Sequence, residues 1–183
     1  MRDSLFTFHS YRYEINDWRF KKKGLLNRIN RQEFTDDGFG YRTDRVKDGK
    51  SYIHYLSELL NEELSSFCQE AQVTCHMTDA WTTRYKKGDS QGPHNHRSWG
   101  FSGIIYVEFD PKIHTPTWFI SPWQDPRNDT TSLAAPKDVK EGTMIIFPSS
   151  TLHYVRPNQS NKERTITSFD LLPQCPKHQS ITN

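Results

Sequence analysis

Two histidines separated by one residue, His94-Asn95-His96, stand in a polar turn directly before the apolar run Phe101–Val107. Side chains at i and i+2 point the same way from an extended backbone, because strand side chains alternate with period two. A third histidine, His153, follows the strand-and-turn segment 143–150 (TMIIFPSS), and Arg164 opens the run Arg164–Leu171. Histidines set on rigid sheet backbone suit a transition-metal site. Imidazole binds Fe, Cu, Ni or Zn, and strands fix its direction. A cation eleven residues after His153 adds an anion clamp beside that site. Its planar fork fits a carboxylate bidentately, and a guanidinium inside a β domain needs such a partner. The remaining histidines, His9, His54, His76, His114 and His178, have no partner at metal-like spacing, so surface or packing roles are expected for them.

The chain of 183 residues is long enough for one domain with a real core. Hydrophobic residues make up only 33% and mean hydropathy is −0.86, which alone would lean toward disorder. Aromatics at 13% weigh the other way, since each ring buries a large area. No apolar run approaches the ~20 residues of a membrane span. Met1-Arg2-Asp3-Ser4 begins no signal-peptide hydrophobic region, so the cytoplasm is the expected compartment. Three cysteines without short metal-type spacing read as idle thiols in a reducing compartment. Residues 1–50 carry twelve Lys or Arg against eight acids, including Lys21-Lys22-Lys23. Such a run is read as a solvated surface first, with nucleic acid or another anionic partner left open.

Along the chain, Phe6-Thr7-Phe8 and Tyr11-Arg12-Tyr13 alternate like short strands, and 36–40 (DDGFG) is a turn or loop. Leu56, Leu60, Leu64, Phe67 and Ala71 predict one amphipathic helix over 51–72, with Ser51 as its N-cap. Strands are expected at 73–86, 101–109, 116–121, 143–147, 152–156 and 164–171. The polar, proline-containing stretch Pro122–Glu141 is expected to be a mobile lid. A helix followed by many short strands predicts a mainly β jelly roll with a helix packed against it. The division expected is an N-terminal elaboration (1–75), a jelly-roll core (76–175) and a tail (176–183).

Over Trp81–Leu171 the sequence resembles the Fe(II)- and 2-oxoglutarate-dependent dioxygenases. The nearest likeness is to a small, mostly bacterial and phage group with a His-x-His motif. The residues that carry the resemblance are Trp81, Tyr85, Lys87-Gly88, Gln91, His94-Asn95-His96, Ser102-Gly103 with Tyr106, Gly142, Phe147-Pro148-Ser149, His153 and Glu163-Arg164. The resemblance implies a double-stranded β-helix, with Fe(II) and 2-oxoglutarate as cofactors. It implies a reaction with dioxygen that hydroxylates an organic substrate and releases succinate and CO2. It makes His94 and His153 iron ligands, with Arg164 on the distal carboxylate of 2-oxoglutarate. Tyr106 would donate to that carboxylate and Ser168 would be a further contact. Where the wider superfamily has His-x-Asp or His-x-Glu, this chain has His96. The simplest reading is a three-histidine face of His94, His96 and His153, with Asp89 and Glu108 the nearest acids as alternatives. Two rival readings stay open: a cupin-like three-histidine dioxygenase without an oxo-acid, and a non-enzymatic jelly-roll binding protein. Substrate identity and oligomeric state, homodimer included, are not readable.

Overall fold

The computed structural model describes residues 9–36, 38, 40–43 and 49–174. Two antiparallel sheets dominate. The larger takes strands in the order β1 (Tyr11–Glu14), β9 (Thr143–Pro148), β6 (Phe101–Glu108), β11 (Arg164–Pro173), β4 (Cys75–Tyr85), β3 (Tyr41–Thr43) and β2 (Phe34–Asp36). The smaller runs β5 (Gln91–His94), β10 (His153–Val155), β7 (Trp118–Asp125), β8 (Thr130–Ala134). This is the expected jelly-roll class.

Alternation along the central strands splits the molecule into two cores. Ile105, Val107, Met144, Ile146, Phe169 and Leu171 face one side of the large sheet and pack on three helices: α1 (Trp18–Ile29), α2 (Gly49–Leu59) and α3 (Asn61–Glu70). Their odd–even neighbours Ile104, Tyr106, Ile145, Phe147 and Ile166 face the other way, toward Val155 and Phe119 of the small sheet. At Gly103, paired with Phe169, a Cβ would lie 2.1 Å from the Phe169 ring, so the close crossing of β6 and β11 requires glycine. Among the described residues no helix is long and apolar enough to cross a membrane.

Several local expectations are corrected. The single helix 51–72 is two helices that bend at Leu60 (φ −104°, ψ 12°). The bend keeps Leu56, Leu60 and Phe67 fully buried across the junction. The first of the two starts at Gly49, so Ser51 lies within it and is not its cap. Helix α1 was not foreseen. Lys21 and Lys22 do not form a free basic patch, since they pair with Glu63 and Glu141 at 3.4 and 2.8 Å. Pro122–Glu141 is no structureless lid. Most of it is the β7–β8 hairpin, whose turn is held by Asp125 and Asn128 side chains accepting from the Arg127 and Thr130 amides. Pro122 sits in the register shift between Ile120 and Gln124, where a missing N–H costs no ladder bond. Cys68 and Cys75 are free thiols with sulfurs 3.4 Å apart. The Phe6–Phe8 strand, Cys175, His178 and the tail lie outside the described residues.

Candidate metal centre

The three histidines meet where β5 and β10 pair. His94 and His153 are direct cross-strand partners, and His96 lies two residues past the end of β5. Ring centroids are 4.3 Å apart for His94 and His153, 5.1 Å for His96 and His153, and 5.5 Å for His94 and His96. One ring nitrogen of each lies within 4.8 Å of the other two.

Hydrogen bonds fix which nitrogen is available. Nδ1–H of His94 donates to the Gly92 carbonyl and that of His153 to the Thr151 carbonyl, both at 2.9 Å. Nδ1–H of His96 donates to the Asp170 carboxylate at 2.8 Å. Carbonyls and ionised carboxylates only accept, so each Nδ1 carries a proton and Nε2 is the nitrogen left to face a metal. Three imidazoles that can each offer Nε2 are a donor set for a divalent transition metal. The buried His153 is pushed down to about 3, first by burial and then by its histidine neighbours, so His153 itself has no proton to lose before a metal binds.

Asp170 is the polar hub behind His96. Ser102 Oγ donates to its Oδ1 at 2.8 Å, and Arg97 Nε is 3.7 Å from Oδ2. Burial works to raise the Asp170 carboxyl, but the bond to His96 and the groups around it outweigh burial and hold it below the usual range. Trp81 closes the other side of His96, with ring centroids 5.2 Å apart.

The histidines open into a cavity of about 360 Å³ whose walls include Trp81, Ile104, Thr117, Val155, Ile166 and Ser168. Arg164, Ile166, Ser168 and Asp170 follow one another on the inner face of β11, as period two requires. Ser168 is a wall residue. Arg164 and Tyr106 lie one layer deeper, behind Thr117, whose amide donates to the Tyr106 hydroxyl oxygen at 3.1 Å. Arg164 is 1% exposed and stacks on the Tyr85 ring, 4.4 Å from the centroid. Its Nη1 donates to the Thr115 carbonyl at 2.6 Å, while Nε and Nη2 have no hydrogen-bond partner. Among the described residues no carboxylate pairs with it, and burial pushes its pKa down. A buried guanidinium with two idle donors could hold an anion that the described residues do not provide.

The alternative acids are elsewhere. Asp89 caps the Lys86 amide in its turn, and Glu108 accepts from Thr165 Oγ1. Asp170, Ser102 and Ser149 were not singled out as site residues from the sequence. Their spacing from His96 carries no local signal.

The model of the family described as "Putative 2OG-Fe(II) oxygenase" matches residues 79–170, half of the chain. The chain belongs to that family. This oxygenase therefore has Fe(II) and 2-oxoglutarate as cofactors, and uses dioxygen and an organic substrate. No curated protein matches the sequence. Solved structures share its fold at low identity. HygX from Streptomyces hygroscopicus, with nickel, 2-oxoglutarate and hygromycin B bound, is 12% identical with a TM-score of 0.70 over 92% of this chain and 84% of that one. The epimerase SnoN from nogalamycin biosynthesis is 12% identical with a TM-score of 0.69 over 89% and 77%. The viral collagen prolyl hydroxylase of Paramecium Bursaria Chlorella virus-1, as its 2-oxoglutarate complex, is 16% identical with a TM-score of 0.55 over 88% and 94%.

Proposed function

We propose that this oxygenase is a hydroxylase in which His94, His96 and His153 hold iron. Arg164, with Tyr106 and Ser168, holds 2-oxoglutarate. The observation that carries the reading is the Arg164 guanidinium, buried with two unpaired nitrogens on the same strand face that leads to the histidines. A dioxygenase without an oxo-acid, or a binding module, leaves that charge uncompensated.

Iron and 2-oxoglutarate together supply oxygen activation: one oxygen atom ends in succinate, CO2 leaves, and the other is inserted into a substrate C–H bond. The polypeptide binds, orients and excludes water. Arg164, with Nε and Nη2 unpaired, would hold the distal carboxylate. Tyr106 accepts from Thr117 and so has its own proton to give to the same group. Ser168 adds a hydroxyl between that anchor and the metal end. Ile104, Val155, Ile166 and Trp81 supply the apolar part of an otherwise polar wall.

The test is spectroscopic and isotopic. Anaerobic addition of 2-oxoglutarate to the Fe(II)-loaded protein should produce a visible absorption band that neither component gives alone. Exposure to labelled dioxygen should then place one labelled atom in succinate. No band with both components present, and no succinate, would overturn the reading.

A further inference from the structure

The three histidines are not held alike. His94 and His153 donate to backbone carbonyls, whereas His96 donates to a carboxylate. That carboxylate is locked. Asp170 is 4% exposed, and its Oδ1 also accepts from Ser102, its direct cross-strand partner in the β11–β6 pairing. Ser102 Oγ is in turn 2.9 Å from Ser149 Oγ. The ring and the carboxylate therefore face one another in one geometry, in surroundings where little water screens them.

We propose that Asp170 is a positioning residue of the metal centre, acting through His96. It supplies from behind the ring the negative charge that a carboxylate ligand at position 96 would place on the metal. The inference rests on the reading of His96 as a ligand. An imidazole whose Nδ1–H is bound by a carboxylate has a more electron-rich Nε2 than one bound by a carbonyl, and its ring is held more tightly. A site of three neutral ligands carries one more positive charge than two histidines and a carboxylate would give. Asp170 offsets that excess at one remove, through its bond to the histidine at 96.

The experiment titrates the metal-free full chain with Co(II), following visible absorption, in two backgrounds. In the wild-type background, Asp170→Asn, which keeps the shape and an acceptor oxygen, should weaken Co(II) binding by about 10- to 100-fold. Ser102→Ala, which keeps the carboxylate and frees it to turn, should weaken binding in the same direction by less. In the His96→Asp background both losses should disappear, because no imidazole is left for Asp170 to act through. A loss of equal size in both backgrounds, or none in the wild type, would overturn the proposal. Failure of the three-histidine reading shows separately, as wild-type Co(II) affinity in His96→Ala. Melting temperatures of the metal-free variants keep folding effects apart from metal effects.

Discussion

On the helix-facing side of the large sheet, Ile105, Val107, Met144, Phe169 and Leu171 pack with Leu25, Leu56, Leu60 and Phe67. Three hydroxyls there pair with one another: the Tyr52 hydroxyl lies 2.9 Å from Thr82 Oγ1, and Thr82 is 2.9 Å from Thr167. On the opposite side, alternate residues of the same strands place Ser168 and Asp170 at a cavity and Arg164 one layer behind it, with two of its nitrogens unpaired. The first face pairs its central hydroxyls with one another. The second presents groups that could take ligands: ring nitrogens for a cation, a guanidinium fork for a carboxylate.

Substitutions should therefore divide by face. The largest effect on folding is expected from Phe67→Ala, a ring at zero exposure in the helix-side core. It should cost about 3–5 kcal/mol in denaturant titration. Co(II) affinity of the folded protein should not change; if it fell, the two faces would be coupled and the division would fail. Tyr52→Phe should remove about 1 kcal/mol through its hydroxyl alone, again without touching metal or cosubstrate.

Tyr106→Phe sharpens the comparison from the other side. Loss of one hydrogen bond should weaken 2-oxoglutarate binding to the Mn(II)-loaded protein by roughly five- to tenfold, about 1 kcal/mol. Affinity equal to wild type would take Tyr106 out of the anchor. The smallest effect concerns His114, a buried group on the cavity side that is already satisfied. Its Nδ1 accepts from the Asp110 amide at 3.0 Å and its Nε2–H donates to the Lys162 carbonyl at 3.2 Å. Burial pushes its pKa down, so the unfolded chain takes up a proton first as pH falls. The stability it supports is present above the ordinary histidine range and is lost below it. His114→Gln should flatten that part of the stability–pH curve between pH 7 and 5, and an unchanged curve would assign the acid sensitivity to other groups.

The two faces also differed in how far they could be read from sequence. His94, His96, His153 and Arg164 were legible because each adjoins an evident strand, and β4, β6, β7, β9, β10 and β11 lie near their expected places. The hairpin strand β8 was not, because all five of its residues are exposed and no period-two pattern marks it. Helix α1 was missed because lysines interrupt its apolar face and Gly24 sits mid-helix. A Cβ at that glycine would lie 2.7 Å from the Tyr55 hydroxyl. The bend at Leu60 hid inside an unbroken three-and-four spacing of leucines. Asp170 could be placed on the inner face of β11, but its bond to His96 spans 74 residues, and only the fold brings the two together.

The central claim is that the cavity-facing side is finished by 2-oxoglutarate at Arg164. The direct measurement is calorimetric titration of 2-oxoglutarate into Mn(II)-loaded wild type and Arg164→Met, together with the stability of the ligand-free proteins. Methionine fills a similar volume without the charge. The ligand-free variant is expected to be as stable as wild type or more stable, since a buried, half-paired guanidinium is removed. Cosubstrate affinity is expected to fall by about 2–5 kcal/mol. Wild-type affinity in Arg164→Met would contradict the account and leave the buried charge without a ligand.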